Sequence, residues 1–147
     1  MRSRRPQVIR EAFEAGKGLY IWGDNDPFYV DANFVSKALL GIEMRGNVHG
    51  DKPVKLTTTG PGLRQHEITT GVVNVYEGIT IATIDSSAAM TPIIIGSAEN
   101  LVCAAYDRDG KRALLDGGFT RLFYKWESAG TERYVVNAAG WLVNMDD

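Results

Sequence analysis

The sequence predicts a mixed α/β domain, on three observations. Apolar residues recur at helical spacing near both ends of the chain. The middle carries short β-branched runs, and clusters of Gly, Pro, Asp and Asn separate the pieces. The 147 residues fit one domain spanning 1–147, with 44% hydrophobic and 23% charged residues supporting a packed core.

Pro6 suits a first helical turn, where its missing N–H is unpaired anyway. Val8, Ile9, Ala12 and Phe13 then share a helical face, and Gly16 and Gly18 supply a stop. Leu19–Trp22 is a short apolar run read as a buried strand, ending in the turn signal Gly23-Asp24-Asn25-Asp26-Pro27. Val35, Ala38, Leu39 and Ile42 set a second helix from about Asp31 to Leu40, closed by Gly41. Glycines and prolines break residues 43–65 into short pieces, with one strand expected at Val54–Thr58. His66–Gly71 reads as a capped turn leading into extended chain. Ile79–Ile84 and Pro92–Gly96 are expected strands, the second buried on both faces. Leu101–Tyr106 and Arg112–Asp116 flank Asp107-Arg108-Asp109-Gly110 as a β-hairpin. Two helices are expected to finish the chain. Phe119, Leu122, Phe123 and Trp126 form the stripe of the first; Tyr134, Val135, Ala138, Trp141, Leu142 and Met145 form that of the second, with Thr131 as cap.

Element order carries one further expectation. An open α/β sheet ordinarily begins with a central strand, whereas this chain begins with an amphipathic helix. Either the domain closes differently, or a leading βαβ portion lies on another polypeptide or has been removed. The second is favoured, so the sheet is expected to lack an inner strand that a second copy or a partner chain supplies.

The composition directs the chain away from several classes. A net charge of −2 gives no general attraction to nucleic acid or anionic membrane. Arg2, Arg4 and Arg5 read as a solubilising end. No uninterrupted apolar stretch suggests a signal peptide or a membrane span. The single cysteine, Cys103, has no disulfide partner within the chain, so a reducing, cytoplasmic setting is expected.

Gly16–Asn25 followed by the helix at 32–40 resembles the class I glutamine amidotransferase-like superfamily. His66-Glu67-Ile68-Thr69-Thr70-Gly71 is similar to the "H-P-I-T-x-G" turn of its trehalose-utilisation-like branch. Arg112–Gly118 with Tyr134–Val143 looks like the closing strand and terminal helix of such domains. The resemblance implies a flavodoxin-like three-layer sandwich, here without its leading strands. Gly23-Asp24-Asn25-Asp26 stands where that family places its nucleophilic cysteine, and both histidines precede residue 67, so the C-terminal His-x-Glu pair is absent. A domain without glutaminase chemistry is expected, with no catalytic residue, metal or cofactor assigned.

The candidate ligand- or partner-binding residues are Asp24, Asn25, Asp26, Tyr29, Asn33, His49 and His66. The first group lies just after a strand, at the sheet end where α/β proteins bind ligands. Carboxylates there could hold a hard cation, but the spacing matches no calcium loop, and turn and cap chemistry is the stronger reading. His49 occupies a polar loop; His66 is read chiefly as fixing its own turn. No Gly-x-Ser-x-Gly elbow and no Walker loop occur, and Gly16-Lys17-Gly18 precedes its strand, the wrong order for a dinucleotide site. Phe119, Phe123, Tyr124 and Trp126 beside Arg121 and Lys125 are a core stripe rather than a base-stacking surface. The leading functional expectation is a non-catalytic binding or assembly domain. The alternative is a small metal- or carboxylate-dependent hydrolase built on Asp24 or Asp26 with His49 or His66.

Overall fold

The computed structural model describes residues 4–122 and 130–143. Helix α1 (Arg4–Glu14) leads to strand β1 (Leu19–Trp22) and helix α2 (Val30–Leu40). Strands β2 (Met44–His49), β3 (Pro53–Lys55), β4 (Gly62–Leu63), β5 (Asn74–Tyr76), β6 (Thr80–Ile84), β7 (Met90–Ile95), β8 (Leu101–Arg108) and β9 (Lys111–Asp116) follow, and helix α3 (Thr131–Leu142) closes the described chain. Single 3-10 turns lie at Glu67–Thr69 and Phe119–Leu122.

The main sheet has five strands in the order β1-β9-β8-β7-β4. Only β1 runs parallel to its neighbour; the β9, β8, β7 and β4 pairings are antiparallel. The α/β class predicted from the sequence therefore holds, with a mixed sheet. Two antiparallel pairs, β2–β6 and β3–β5, stand beside it. One core contains Ile94, Cys103 and Leu114 with Tyr134, Ala138 and Trp141 of α3. The other contains Ile21, Ala104 and Leu115 with Ala32 of α2 and Met44, Ala82 and Ile84 of β2 and β6.

The expected gap at the centre of the sheet does not exist. Its middle position belongs to β8, flanked by β7 and β9, and β1 lies at an edge. The physical reason is visible in the hairpin. Val102–Ala105 and Ala113–Leu115 are buried without alternation, as strands covered on both faces must be. The late hairpin, rather than the leading segment, supplies the interior of the sheet.

Local chemistry explains most boundaries. Gly16, at φ 90°, ends α1: its N–H reaches the Phe13 carbonyl while that of Lys17 reaches Ala12, a Schellman pairing. Asp109 and Gly110 both take positive φ, as a two-residue hairpin turn requires. Gly117 marks a close crossing, since a Cβ there would stand 2.0 Å from the Ala82 carbonyl oxygen. Other boundaries differ from expectation. The strand anticipated at Val54–Thr58 is β3, ending at Lys55. The first of the two expected C-terminal helices begins as the 3-10 turn at Phe119–Leu122; Phe123, Tyr124, Lys125 and Trp126 lie outside the described residues, as do Arg2 and Met145. Among the described residues no helix is long and apolar enough to cross a membrane.

Candidate functional site

The loop after β1 gathers most of the residues singled out in the sequence. Trp22 lies opposite Asp116 in the parallel register, and the Gly23 N–H donates to the Asp116 carbonyl at 2.7 Å. Gly23 has little room, because a Cβ would meet Met44 Sδ at 3.0 Å and Tyr29 at 3.2 Å. Asp24 Oδ1 accepts from the Asn25 N–H at 2.8 Å. The Asn25 carbonyl then accepts from Phe28 N–H at 2.7 Å, and Asp26 N–H reaches Gly46 at 3.3 Å. Asn33 clamps α2 to β2, with Nδ2 donating to the Met44 carbonyl at 2.8 Å and Oδ1 accepting from the Met44 N–H at 2.7 Å. Tyr29 packs half-buried against the α2-side core. Tyr29 and Asn33 thus hold the loop's shape.

Beside this loop two hollows open along β1. One, of about 470 Å³, is lined by Trp22, Gly23, Asp24, Phe28, Asp31 and Ala32. The other, of about 290 Å³, runs along all four β1 residues, bounded by Ile9 of α1 and by Ala32 and Val35 of α2. Trp22 is 53% and Phe28 69% exposed. Burial raises the Asp24 carboxyl above its ordinary range; the Asn25 N–H opposes this and the Asp116 charge adds to it. Among the described residues neither Asp24 nor Asp31 has an ion-pair partner.

The two histidines stand apart from this loop. His49 is exposed on β2 opposite Thr80, three residues beyond Gly46 and so roughly 10 Å along the strand. His66 caps the turn at Glu67–Thr69: its Nδ1 accepts from the Ile68 N–H at 3.1 Å, while Thr69 Oγ1 accepts from the His66 N–H at 2.9 Å. Its ring meets Trp141 edge-on at 5.3 Å, and Trp141 in turn carries the Arg112 guanidinium at 4.8 Å. Arg112 is four residues from Asp116 along β9, roughly 13 Å from the Asp24 end. Burial lowers the His66 pKa, with Glu67 and Asp107 opposing. The convergence of Asp24, His49 and His66 that a hydrolytic centre needs is not assembled. Among the described residues no group of three or more His, Cys, Asp or Glu is arranged to hold a metal ion.

A polar cluster that the sequence reading missed lies behind β1. Asp116 and Arg121 are both fully buried and ion-paired. Arg121 Nη1 contacts Asp116 Oδ2, Nη2 reaches Oδ1 at 2.8 Å, and Nε donates to the Tyr76 carbonyl at 2.8 Å. The Gly118 N–H donates to Asp116 Oδ1 at 2.9 Å, and Tyr20 Oη donates to Oδ2 at 2.5 Å. Tyr20 and Tyr134 hydroxyls are 2.8 Å apart, and Tyr134 Oη lies 3.3 Å from Cys103 Sγ. Burial opposes the Arg121 charge, but Asp116 holds its pKa above the ordinary value. Burial also raises both tyrosines and pushes Cys103 up to about 12, which keeps the thiol protonated and inert. The sequence signal was an Asp ending an apolar strand with an Arg five residues later in an apolar stripe.

The fold is similar to that of the mmIFT52 N-terminal domain, with a TM-score of 0.72 and 12% identity over 96% of this chain and 71% of that one. It is also similar to the cytoplasmic protein STM1381 from Salmonella typhimurium LT2, with a TM-score of 0.62 and 14% identity over 96% of this chain and 59% of that one. At these identities the likeness is one of fold. No protein-family model matches the chain, and no curated protein matches it.

Proposed function

We propose that the chain is a non-catalytic binding and assembly domain whose contact surface is the edge of β1, where a second chain adds a strand to the sheet. One observation carries the reading: among the described residues β1 has a single sheet neighbour, and an apolar hollow runs along all four of its residues. Gly23 N–H faces β9, so alternation turns the N–H and C=O groups of Leu19 and Ile21 the same way and those of Tyr20 and Trp22 toward the open edge. Such an edge is a template for strand addition, in which main-chain bonds give affinity and flanking hollows give selectivity. The buried charges support a non-catalytic role, since Asp116 and Arg121 satisfy each other and Cys103 is locked in the core. The turn at Gly23 after β1, leading into α2, is in keeping with the amidotransferase-like resemblance; the antiparallel β7–β8–β9 portion departs from a fully parallel sheet.

Residue-resolved hydrogen exchange at high dilution tests the reading. Tyr20 and Trp22 amides are expected to exchange quickly, while Ile21 and Gly23 amides, bonded to β9, exchange slowly. Slow exchange at Tyr20 and Trp22 in a dilute monomer means that the chain covers its own edge, and the reading is then wrong.

A further inference from the structure

Resting on that reading, we infer that the strand received by β1 is β1 of a second copy, paired antiparallel about a two-fold axis at Ile21, with Lys17 of each copy meeting the acidic hollow of the other.

Strand geometry narrows the registers available. Residues directly opposite in an antiparallel pair share the same amide direction, so a symmetric pairing must centre on a residue. Centred on Ile21, Tyr20 of one copy faces Trp22 of the other, and both outward-turned residues complete hydrogen-bonded pairs. This register uses the two outward residues of β1 and needs no others. It also sets aromatic against aromatic. Tyr20 and Trp22 share a face of β1 and already meet edge-on at 6.1 Å, so the pairing builds a continuous ladder of four rings.

Charge identifies the occupant further. Beyond β1 both chains turn, and the same register brings the Lys17 end of one copy toward the Asp24–Asn25 turn of the other. Lys17 is exposed, and no ion pair within the described residues holds it. Asp24 and Asp31 line a hollow walled by Trp22 and Phe28, a setting that suits an ammonium group through both carboxylate and ring-face attraction. A basic residue just before β1 and an acidic hollow just after it make the edge complementary to itself. Two-fold pairing satisfies both ends at once, as an isologous interface requires.

Light scattering across a concentration series, with exchange of the Tyr20 and Trp22 amides followed in parallel, provides the test. The wild-type chain is expected to form a dimer whose Tyr20 and Trp22 amides become protected as it assembles. Lys17→Glu and Asp24→Lys are each expected to raise the dimer dissociation constant by roughly tenfold or more, through like-charge contact. The double exchange, Lys17→Glu with Asp24→Lys, restores it to within about threefold, and added salt weakens wild type and double exchange alike. Unchanged melting temperatures show that the variants are folded. A monomer at every concentration with fast Tyr20 and Trp22 exchange overturns the second copy while leaving the open-edge reading in place. A dimer that leaves those amides unprotected, or a double exchange without recovery, overturns the register.

Discussion

Two groups of charge lie close to β1 and are treated in opposite ways. Behind the strand, Asp116 and Arg121 are sealed from water and bonded to each other, to Tyr20, to backbone groups and through Tyr20 to Tyr134. At the C-terminal end of the strand, Asp24 and Asp31 line an open hollow and have no ion-pair partner among the described residues. The interior pair has every partner it needs within the chain, so its work is to fix the 3-10 turn at Phe119–Leu122 against the sheet. The exterior carboxylates stand beside the exposed rings of Trp22 and Phe28. Neighbouring acid groups therefore differ in compensation: Asp116 is paired within the chain, whereas Asp24 and Asp31 are the groups proposed to meet a partner.

The contrast can be broken most forcefully at Arg121. Arg121→Met leaves Asp116 buried without its cation, and urea unfolding is expected to show a loss of about 3–5 kcal/mol. Asp116→Leu combined with Arg121→Met recovers part of it, because the uncompensated charge has gone; no recovery would mean that the pair's hydrogen bonds to the backbone matter more than its charge.

A smaller effect is expected at His66, on the interior side of the comparison. Removing the cap by His66→Ala costs about 1 kcal/mol. Burial holds the folded-state pKa below the unfolded value near 6.5, so the unfolded chain binds a proton first as pH falls. The contribution of the neutral ring is complete above that unfolded value and is lost as pH descends through the folded one. His66→Asn, which keeps a capping acceptor without titrating there, should flatten this part of the stability profile measured between pH 7.5 and 5.

The smallest stability effect is expected on the exposed side. Asp24→Ala should shift unfolding by no more than about 0.5 kcal/mol, since its one described hydrogen bond is to the next residue's N–H. A loss as large as that at Arg121 would make Asp24 part of the architecture and erase the distinction.

Much of this was legible in the sequence, for identifiable reasons. The α2 periodicity, with Gly41 in the left-handed region as its stop, depends on local chemistry alone, and α2 begins within one residue of expectation. The β8–β9 hairpin announced itself through Asp109-Gly110. The turn at Gly23–Pro27 was also found, because turn residues after an apolar strand mark a sheet end. What escaped was non-local. Strand β2 carries Arg45, Gly46 and Asn47 and looks like a loop until Met44 and Val48 pair with β6. The place of β1 at the edge depends on which strand fills the middle, and that was decided by the long apolar runs of β8 and β9 more than 80 residues later. The Asp116–Arg121 pair was hidden because both residues ordinarily belong on surfaces.

The parallel ladder between β1 and β9 has a consequence for how the molecule comes into being. Leu19 is registered with Ala113, so the first strand can find its seat only after nearly the whole described chain has been made. During synthesis, α1 and β1 leave the ribosome with their apolar faces uncovered and must wait for the hairpin that receives them. The ladder with the greatest sequence separation is thus the one next to the sheet's edge, and the strand that waits longest for a strand neighbour in cis is the one proposed to take a neighbour in trans.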